Sequence, residues 1–243
     1  MPFTFAHPAV MLPLVYLPKK WISLTALIIG SMIPDFEYFI RMKPFSQYSH
    51  TLGGVFWFDL PLAILVAFLF HNIVKNSLFN NLPVFLQVRF TDFKSFDWNS
   101  YFRQNWIVVI VSVLIGAFSH LLWDSFTHET GYFVERYSLL SNKISLGSFT
   151  VPVYKIMQHG STLVGGLILL LMIFKLPKSK REVHKISWQY WITFAVIVVL
   201  VLMTRFLLGL DYRLYGQVIV TFISAVMIAL ILIPFVVPHK NIK

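Results

Sequence analysis

Five long apolar stretches, at 53–70, 106–123, 160–174, 191–208 and 218–238, limit what this chain can fold into. Each approaches the ~20 residues that a helix needs to cross a bilayer core. Only 12% of the 243 residues are charged, where a soluble domain carries about 25%. A soluble globular enzyme is thereby excluded. The sequence predicts an all-α fold: a polytopic transmembrane helix bundle of about five spans plus a short N-terminal helical hairpin. It reads as a single membrane-embedded domain over 1–243, with a metal-site core at 1–175 and additional transmembrane helices at 190–238.

The hairpin comes from two shorter apolar pieces, 8–17 and 21–33, separated by Pro18-Lys19-Lys20. A dozen helical residues reach only about 20 Å, too short to cross. The stretches 71–105 and 124–159 read as polar connections, the first a surface loop. The densest basic cluster is Lys175, Lys178, Lys180, Arg181 and Lys185, between the third and fourth spans. By the positive-inside rule it is cytoplasmic, as are Lys240 and Lys243. The start of span one, the end of span two and the start of span three then share the outer face of a bacterial inner (cytoplasmic) membrane. Lys19, Lys20, Arg41 and Lys43 fall on that outer side too, against the rule.

The formal charge of +10 suits the anionic headgroups of a lipid bilayer. No basic run is interleaved with aromatics, so nucleic acid is not an expected partner. Cysteine is absent, which removes disulfides and thiolate-held zinc or iron–sulfur sites. Any metal must be held by His, Asp or Glu. The N-terminus lacks a basic region and a cleavage site, so Met1 is expected to remain in the mature protein.

Seven such residues stand at the ends of apolar segments: His7, Asp35, His50, His120, Asp124, His128 and His159. The alternation of spans brings all seven ends to one face, which makes a metal site there the leading reading. His120 and Asp124 are four residues apart, so on a helix they stack about 6 Å apart and can share an ion. His128 would lie about 12 Å from His120 along a continuous helix, too far for the same ion with bonds near 2 Å. Asp124 stands between them and can bridge two ions, the second reached by His128 or His159. Asp124 and His128 are accordingly the expected catalytic pair. The alternative for each residue alone is a hydrated interfacial side chain. Ser49, Ser119 and Thr127 flank these histidines as supports or packing residues, Asp59 is either a partner that orients a ligand or a packing residue, and Glu37 is a spare ligand. His71, His184 and His239 are expected to be solvated. No HExxH, GxSxG, Walker loop or GxGxxG occurs, so zincin, serine hydrolase and nucleotide chemistry have no support.

The opening Met-Pro-Phe-Thr-Phe-Ala-His-Pro-Ala, the run from Gly30 to Phe39 and the segment from Ser119 to His128 resemble a bacterial integral-membrane family known as a domain of unknown function. More distantly, Pro34-Asp35, Ser49-His50-Thr51 and His120-xxx-Asp124 are similar to elements of the inner-membrane metal-dependent hydrolases. The order of ligand types also resembles the zinc-dependent phospholipase C and S1/P1 nuclease superfamily, all-helical enzymes that cleave phosphate esters with three zinc ions. That resemblance implies one zinc site at Asp35, His50, His120 and Asp124. It further implies part of a second at His128 and His159, and part of a third at His7 with Asp124. Two departures stand out: the N-terminal Trp ligand of that superfamily is missing, and its HxxxE ends here on Leu163 instead of Glu. One or two ions, most suitably Zn, are therefore expected.

The function these readings imply is a membrane-bound metal-dependent hydrolase acting on a phosphoester or lipid headgroup at the interface, with Arg41 or Lys43 available to stabilise charge. The alternatives are a non-catalytic metal-binding or transport protein, a haem-binding electron carrier and a structural protein. Transport would favour polar residues inside several spans, where the sequence offers little beyond Asp59, Ser112 and Thr204. Haem would need paired histidines on facing helices.

Overall fold

The computed structural model describes residues 3–18, 20–147, 149–181 and 183–237. Lys19, Pro238, His239, Lys240 and Lys243, which enter the expectations above, lie outside the described residues. The described residues are mostly helical. Helix α1 (Pro8–Met11) is flanked by 3₁₀ turns at Thr4–Ala6 and Leu12–Tyr16. It is followed by α2 (Leu24–Met32), a turn at Ile33–Asp35 and α3 (Phe36–Arg41). These shorter pieces precede five helices long and apolar enough to cross a membrane, as an integral membrane protein has. They are α4 (Leu52–Asn81), α6 (Trp98–Thr127), α9 (Val153–Lys175), α10 (Trp188–Leu207) and α11 (Tyr215–Val236). Between them lie α5 (Val84–Phe90), α7 (Tyr132–Arg136), α8 (Ser138–Ser141) and a two-stranded antiparallel ribbon, β1 (Lys143–Leu146) with β2 (Phe149–Pro152).

Local chemistry sets several boundaries. The hydroxyls of Ser23, Thr51 and Ser187 accept the backbone N–H groups of Ala26, Gly54 and Tyr190, capping α2, α4 and α10. Each cap satisfies a donor that the first helical turn leaves open. Gly147, at φ +64°, turns the ribbon in the left-handed region that glycine enters without strain. Two π turns widen α4, at Val55–Asp59 and at Phe70–Val74.

The connection expected as a surface loop at 71–105 is instead largely helical, since α4 runs on to Asn81 and is followed by α5 and the start of α6. Several of its polar residues are internal partners. Lys75 is buried and its ammonium donates to the Phe96 carbonyl at 2.7 Å. The His71 ring lies flat on Trp98, with centroids 4.9 Å apart.

Two compact units make up the chain. The first comprises Met1–Asp35, Tyr48–Ile64 and Asn105–Lys175, and the second Phe36–Gln47, Leu65–Gln104 and Leu176–Lys243. Within the second unit α10 and α11 pack through Val198, Ala225 and Ala229. The Ser224 hydroxyl donates to the Phe39 carbonyl at 2.7 Å, fixing α3 on α11.

The first unit is built on close helix approaches. A Cβ on Gly116 of α6 would fall 2.6 Å from the Leu27 carbonyl oxygen of α2, and one on Gly30 would collide with the Val113 backbone. Glycine at this crossing lets two backbones touch. Ser112, one turn from Gly116, accepts the Ser23 N–H at 2.9 Å.

Candidate metal centre

The face of α6 that carries Ser112 and Gly116 continues, four residues at a time, to His120 and Asp124. The glycine crossing brings the Ser31 carbonyl to within 2.7 Å of His120 Nδ1. A carbonyl only accepts, so Nδ1 carries the proton and Nε2 keeps its lone pair for a ligand. At the end of the turn that follows α2, Asp35 is fully buried, and its Oδ2 accepts the Thr4 hydroxyl at 2.5 Å. His50 precedes α4 with φ +61°. A non-glycine residue in that region costs about 1–3 kcal/mol and tends to mark a functional site. Ser49 Oγ stands 3.1 Å from His50 Nδ1.

Four atoms converge from these segments. His120 Nε2 lies 3.3 Å from Asp124 Oδ2 and 3.5 Å from Asp35 Oδ1. His50 Nε2 lies 3.4 Å from Asp35 Oδ1 and 3.6 Å from Asp124 Oδ2. All four ligand atoms lie within 4.8 Å of one another. A tetrahedron with bonds of about 2.0–2.1 Å has edges of about 3.3–3.4 Å, so these separations fit one four-coordinate divalent ion. His120 Nε2, Asp35 Oδ1 and both Asp124 carboxylate oxygens are buried with no hydrogen-bond partner among the described residues. Buried polar atoms are otherwise satisfied as a rule, and orphans gathered at one point are what a metal would satisfy.

The family described as Domain of unknown function (DUF4184) matches residues 1–235. The chain belongs to this family. The match takes in every residue of the four-ligand group. No curated protein matches the chain, and no solved structure matches it.

Asp124 presents its other oxygen elsewhere. Oδ1 lies 3.7 Å from His7 Nε2 and 3.5 Å from His128 Nδ1. His7 is buried, stacks on His120 at 3.8 Å between centroids, and also has Nε2 without a hydrogen-bond partner. Its segment is fastened to α9: the Phe3 N–H donates to Thr162 Oγ1 at 3.0 Å. A Cβ on Gly165 would come within 2.9 Å of the Ala6 carbonyl oxygen. His128 Nδ1 is 3.0 Å from the Asp124 carbonyl oxygen, so Nδ1 donates there and Nε2 is the nitrogen left for chemistry.

Charge follows this geometry. Burial pulls the His50 imidazole down, but the Asp124 and Asp35 carboxylates that face its Nε2 outweigh burial and raise it above its ordinary range. Burial raises Asp35, and the charge that His120 and then His50 carry when protonated, both facing Oδ1, overcomes it and holds the carboxyl well below the usual range. Burial, aided by the charge of His120, lowers His7 to about 4 against the pull of Asp124 and Asp35. His7 is therefore neutral near pH 7, with a lone pair to offer.

The remaining expected residues separate from the group. His159 is exposed on α9, because that helix begins at Val153 and carries it inside the span instead of at its start. Glu37, the spare ligand, belongs to the second unit and binds Arg41 at 2.7 Å and the Gln47 N–H at 2.9 Å. Arg41 is thus engaged by a carboxylate. Ser119 donates to the Gly116 carbonyl, as a packing hydroxyl does, whereas Thr127 Oγ1 lies 3.4 Å from His128 Nδ1. Asp59 is fully buried at the end of the first π turn of α4. Sequence reasoning missed Thr4 and the Ser31 carbonyl. Thr4 stands three residues before His7 in a quoted motif, and that adjacency was the one available signal; a backbone carbonyl leaves none.

Proposed function

We propose that this chain is a membrane-embedded metal-dependent hydrolase of phosphoesters, lipid headgroups among them. The observation that carries the reading is the Asp124 carboxylate: Oδ2 completes a four-ligand group while Oδ1 faces His7 and His128, two histidines outside that group. Four protein ligands close a tetrahedral site, so water would reach the metal as a fifth ligand or on a second ion at the His7 side of Asp124, where protein ligands are fewer. Zinc suits the donor set of imidazoles and carboxylates. When bound, such an ion lowers the pKa of water towards ~7 and polarises a phosphoryl oxygen.

The chain's own residues supply the rest. Asp35 and Asp124 provide the negative charge that holds a dication, and Ser31 and Thr4 orient His120 and Asp35 through hydrogen bonds. Neutral His7 lines the open side. His128, tethered through Nδ1 and still partly open to solvent, is placed to exchange a proton through Nε2 with the leaving oxygen. The membrane concerned is proposed to be the bacterial cytoplasmic membrane, with the site on its outer face. This follows from the basic connection 175–185.

A second reading rests on the same four ligands: they saturate a tetrahedral ion by themselves, as in a non-catalytic binding or transport protein. Elemental analysis of purified full-length protein beside a His120→Ala/Asp124→Ala double variant tests the common premise. One or two zinc ions per chain, lost in the variant, are expected. A phosphodiester and phospholipid screen then separates the readings, since turnover abolished by His128→Ala supports hydrolysis. Absence of stoichiometric metal in the unmodified protein, even after reconstitution, overturns both.

A further inference from the structure

The first unit contains a groove with a volume of about 450 Å³, bounded by the N-terminal segment, Trp123 of α6 and one face of α9. From α9 come Met157, Gly160, Val164 and Ile168 at helical spacing, and from the N-terminal segment Ala9 and His7. The lining is apolar except for the indole N–H of Trp123 and two polar side chains. Ser161 donates its hydroxyl to the Gln158 carbonyl at 3.0 Å. His7 is 4% exposed, and its Nε2 has no hydrogen-bond partner. The groove is thus apolar along its length and polar at His7, whose Nε2 is 3.7 Å from Asp124 Oδ1.

Gly160 has no packing reason to be glycine. A Cβ there meets nothing within 4 Å, whereas one at Gly165 would press on the Ala6 carbonyl oxygen. Glycine inside a helix is unfavourable relative to alanine, and here its effect is to leave the groove open. The volume falls in the range of small-molecule sites. Away from the His7 end, the wall formed by α9 offers few of the two or more polar partners that ordered water needs. Val164 on its wall is exposed together with neighbouring Leu163 and Leu167, and in a helix able to span a membrane such residues face hydrocarbon. A groove opening on that face is accessible to lipid chains.

We infer that the groove seats a hydrocarbon chain of a phosphate-bearing amphiphile and delivers its headgroup to the His7 side of Asp124. This rests on the hydrolase reading and narrows its substrate class to single lipids that reach the site sideways from the bilayer.

The test uses zinc-loaded full-length protein and a series of alkyl phosphates from butyl to hexadecyl, with the unmodified chain compared to Gly160→Trp at each length. The comparison removes partitioning into detergent, and zinc content reports that the fold is intact. If Gly160→Trp fails to retain zinc, Val164→Trp on the same face replaces it. Affinity for the unmodified chain should rise with chain length, and its advantage over the variant should widen with it. A hexadecyl phosphate carrying a mid-chain diazirine should label α9 around Met157 and Val164. A constant advantage across the series, or labelling confined to α10 and α11, overturns the inference. Failure of the unmodified protein to bind zinc overturns the hydrolase reading instead. The photolabel on zinc-free protein then still decides the groove: labelling of α9 supports it and none overturns it.

Discussion

Asp124 links two environments with one carboxylate, and Asp35 does half as much: its Oδ1 meets both cage histidines while Oδ2 is taken by Thr4. That asymmetry makes the Thr4 hydroxyl a positioning group. Thr4→Val keeps the shape and removes the donor, and should weaken zinc affinity about 10–100-fold, as loss of such supporting partners does. Thr4→Ser should retain affinity, and competition with a chelating dye reads both. The histidines fix the pH dependence. Without metal, His50 is raised above its ordinary value by Asp124 and Asp35. Its protonation therefore stabilises the fold fully below the unfolded value of ~6.5, a contribution lost as pH rises through the raised value. Zinc needs the neutral ring, so its affinity should grow about tenfold per pH unit for each proton displaced. Asp35 lies well below the usual carboxylate range and stays ionised throughout. The zinc-induced rise in unfolding temperature should thus be small near pH ~6 and larger near pH ~8. The reverse order would show that a histidine is not displaced.

Among the elements, the crossing of α2 over α6 converts glycine into chemistry. Gly30 and Gly116 bring the backbones together, and Ser31, beside Gly30, thereby reaches His120, one turn beyond Gly116. Gly116→Val would force the helices apart at a cost of about 1–3 kcal/mol or more. It should lower the unfolding temperature and release the metal together. A Gly53→Ala control, where an added Cβ meets nothing within 4 Å, should do neither. The sequence shows Gly116 and His120 one turn apart and allows close helix approach, and the i, i+4 spacing of His120 and Asp124 places two ligands on one face. It does not say that α2 is the partner, because a backbone carbonyl has no sequence signature. The same blindness explains 71–105: Lys75 reads as a loop marker, but its ammonium finds the Phe96 carbonyl. The ribbon at 143–152 was illegible for another reason, since eight paired residues around Gly147 are too short for a clear period-two pattern. His159 was misplaced because hydropathy marks the apolar part of a span, at 160, whereas the helix starts at Val153.

Across the whole molecule, the metal group joins pieces of chain that are remote in sequence: residues 35, 50 and 120–124, with His7 against them. Hydropathy alone made the five spans legible, yet not the two units. Helices α4 and α6 each contribute to both, and each unit is assembled from three separate stretches of chain. Because every ligand belongs to the first unit, bound metal should stabilise that unit selectively. A ligand present at 100 times its dissociation constant contributes about 2.7 kcal/mol to the state that binds it. Hydrogen exchange on the full chain should therefore slow with zinc in α2, in the turn ending at Asp35, and in α6 from Asn105 to Thr127. Exchange in α10 and α11, whose core is formed by Val198, Ala225 and Ala229, should not change. Asp124→Asn, which leaves the cage one charge short, should remove the zinc response from the first unit without altering the second. Protection spread evenly over both units, or retained in Asp124→Asn, would place the ion elsewhere on the chain.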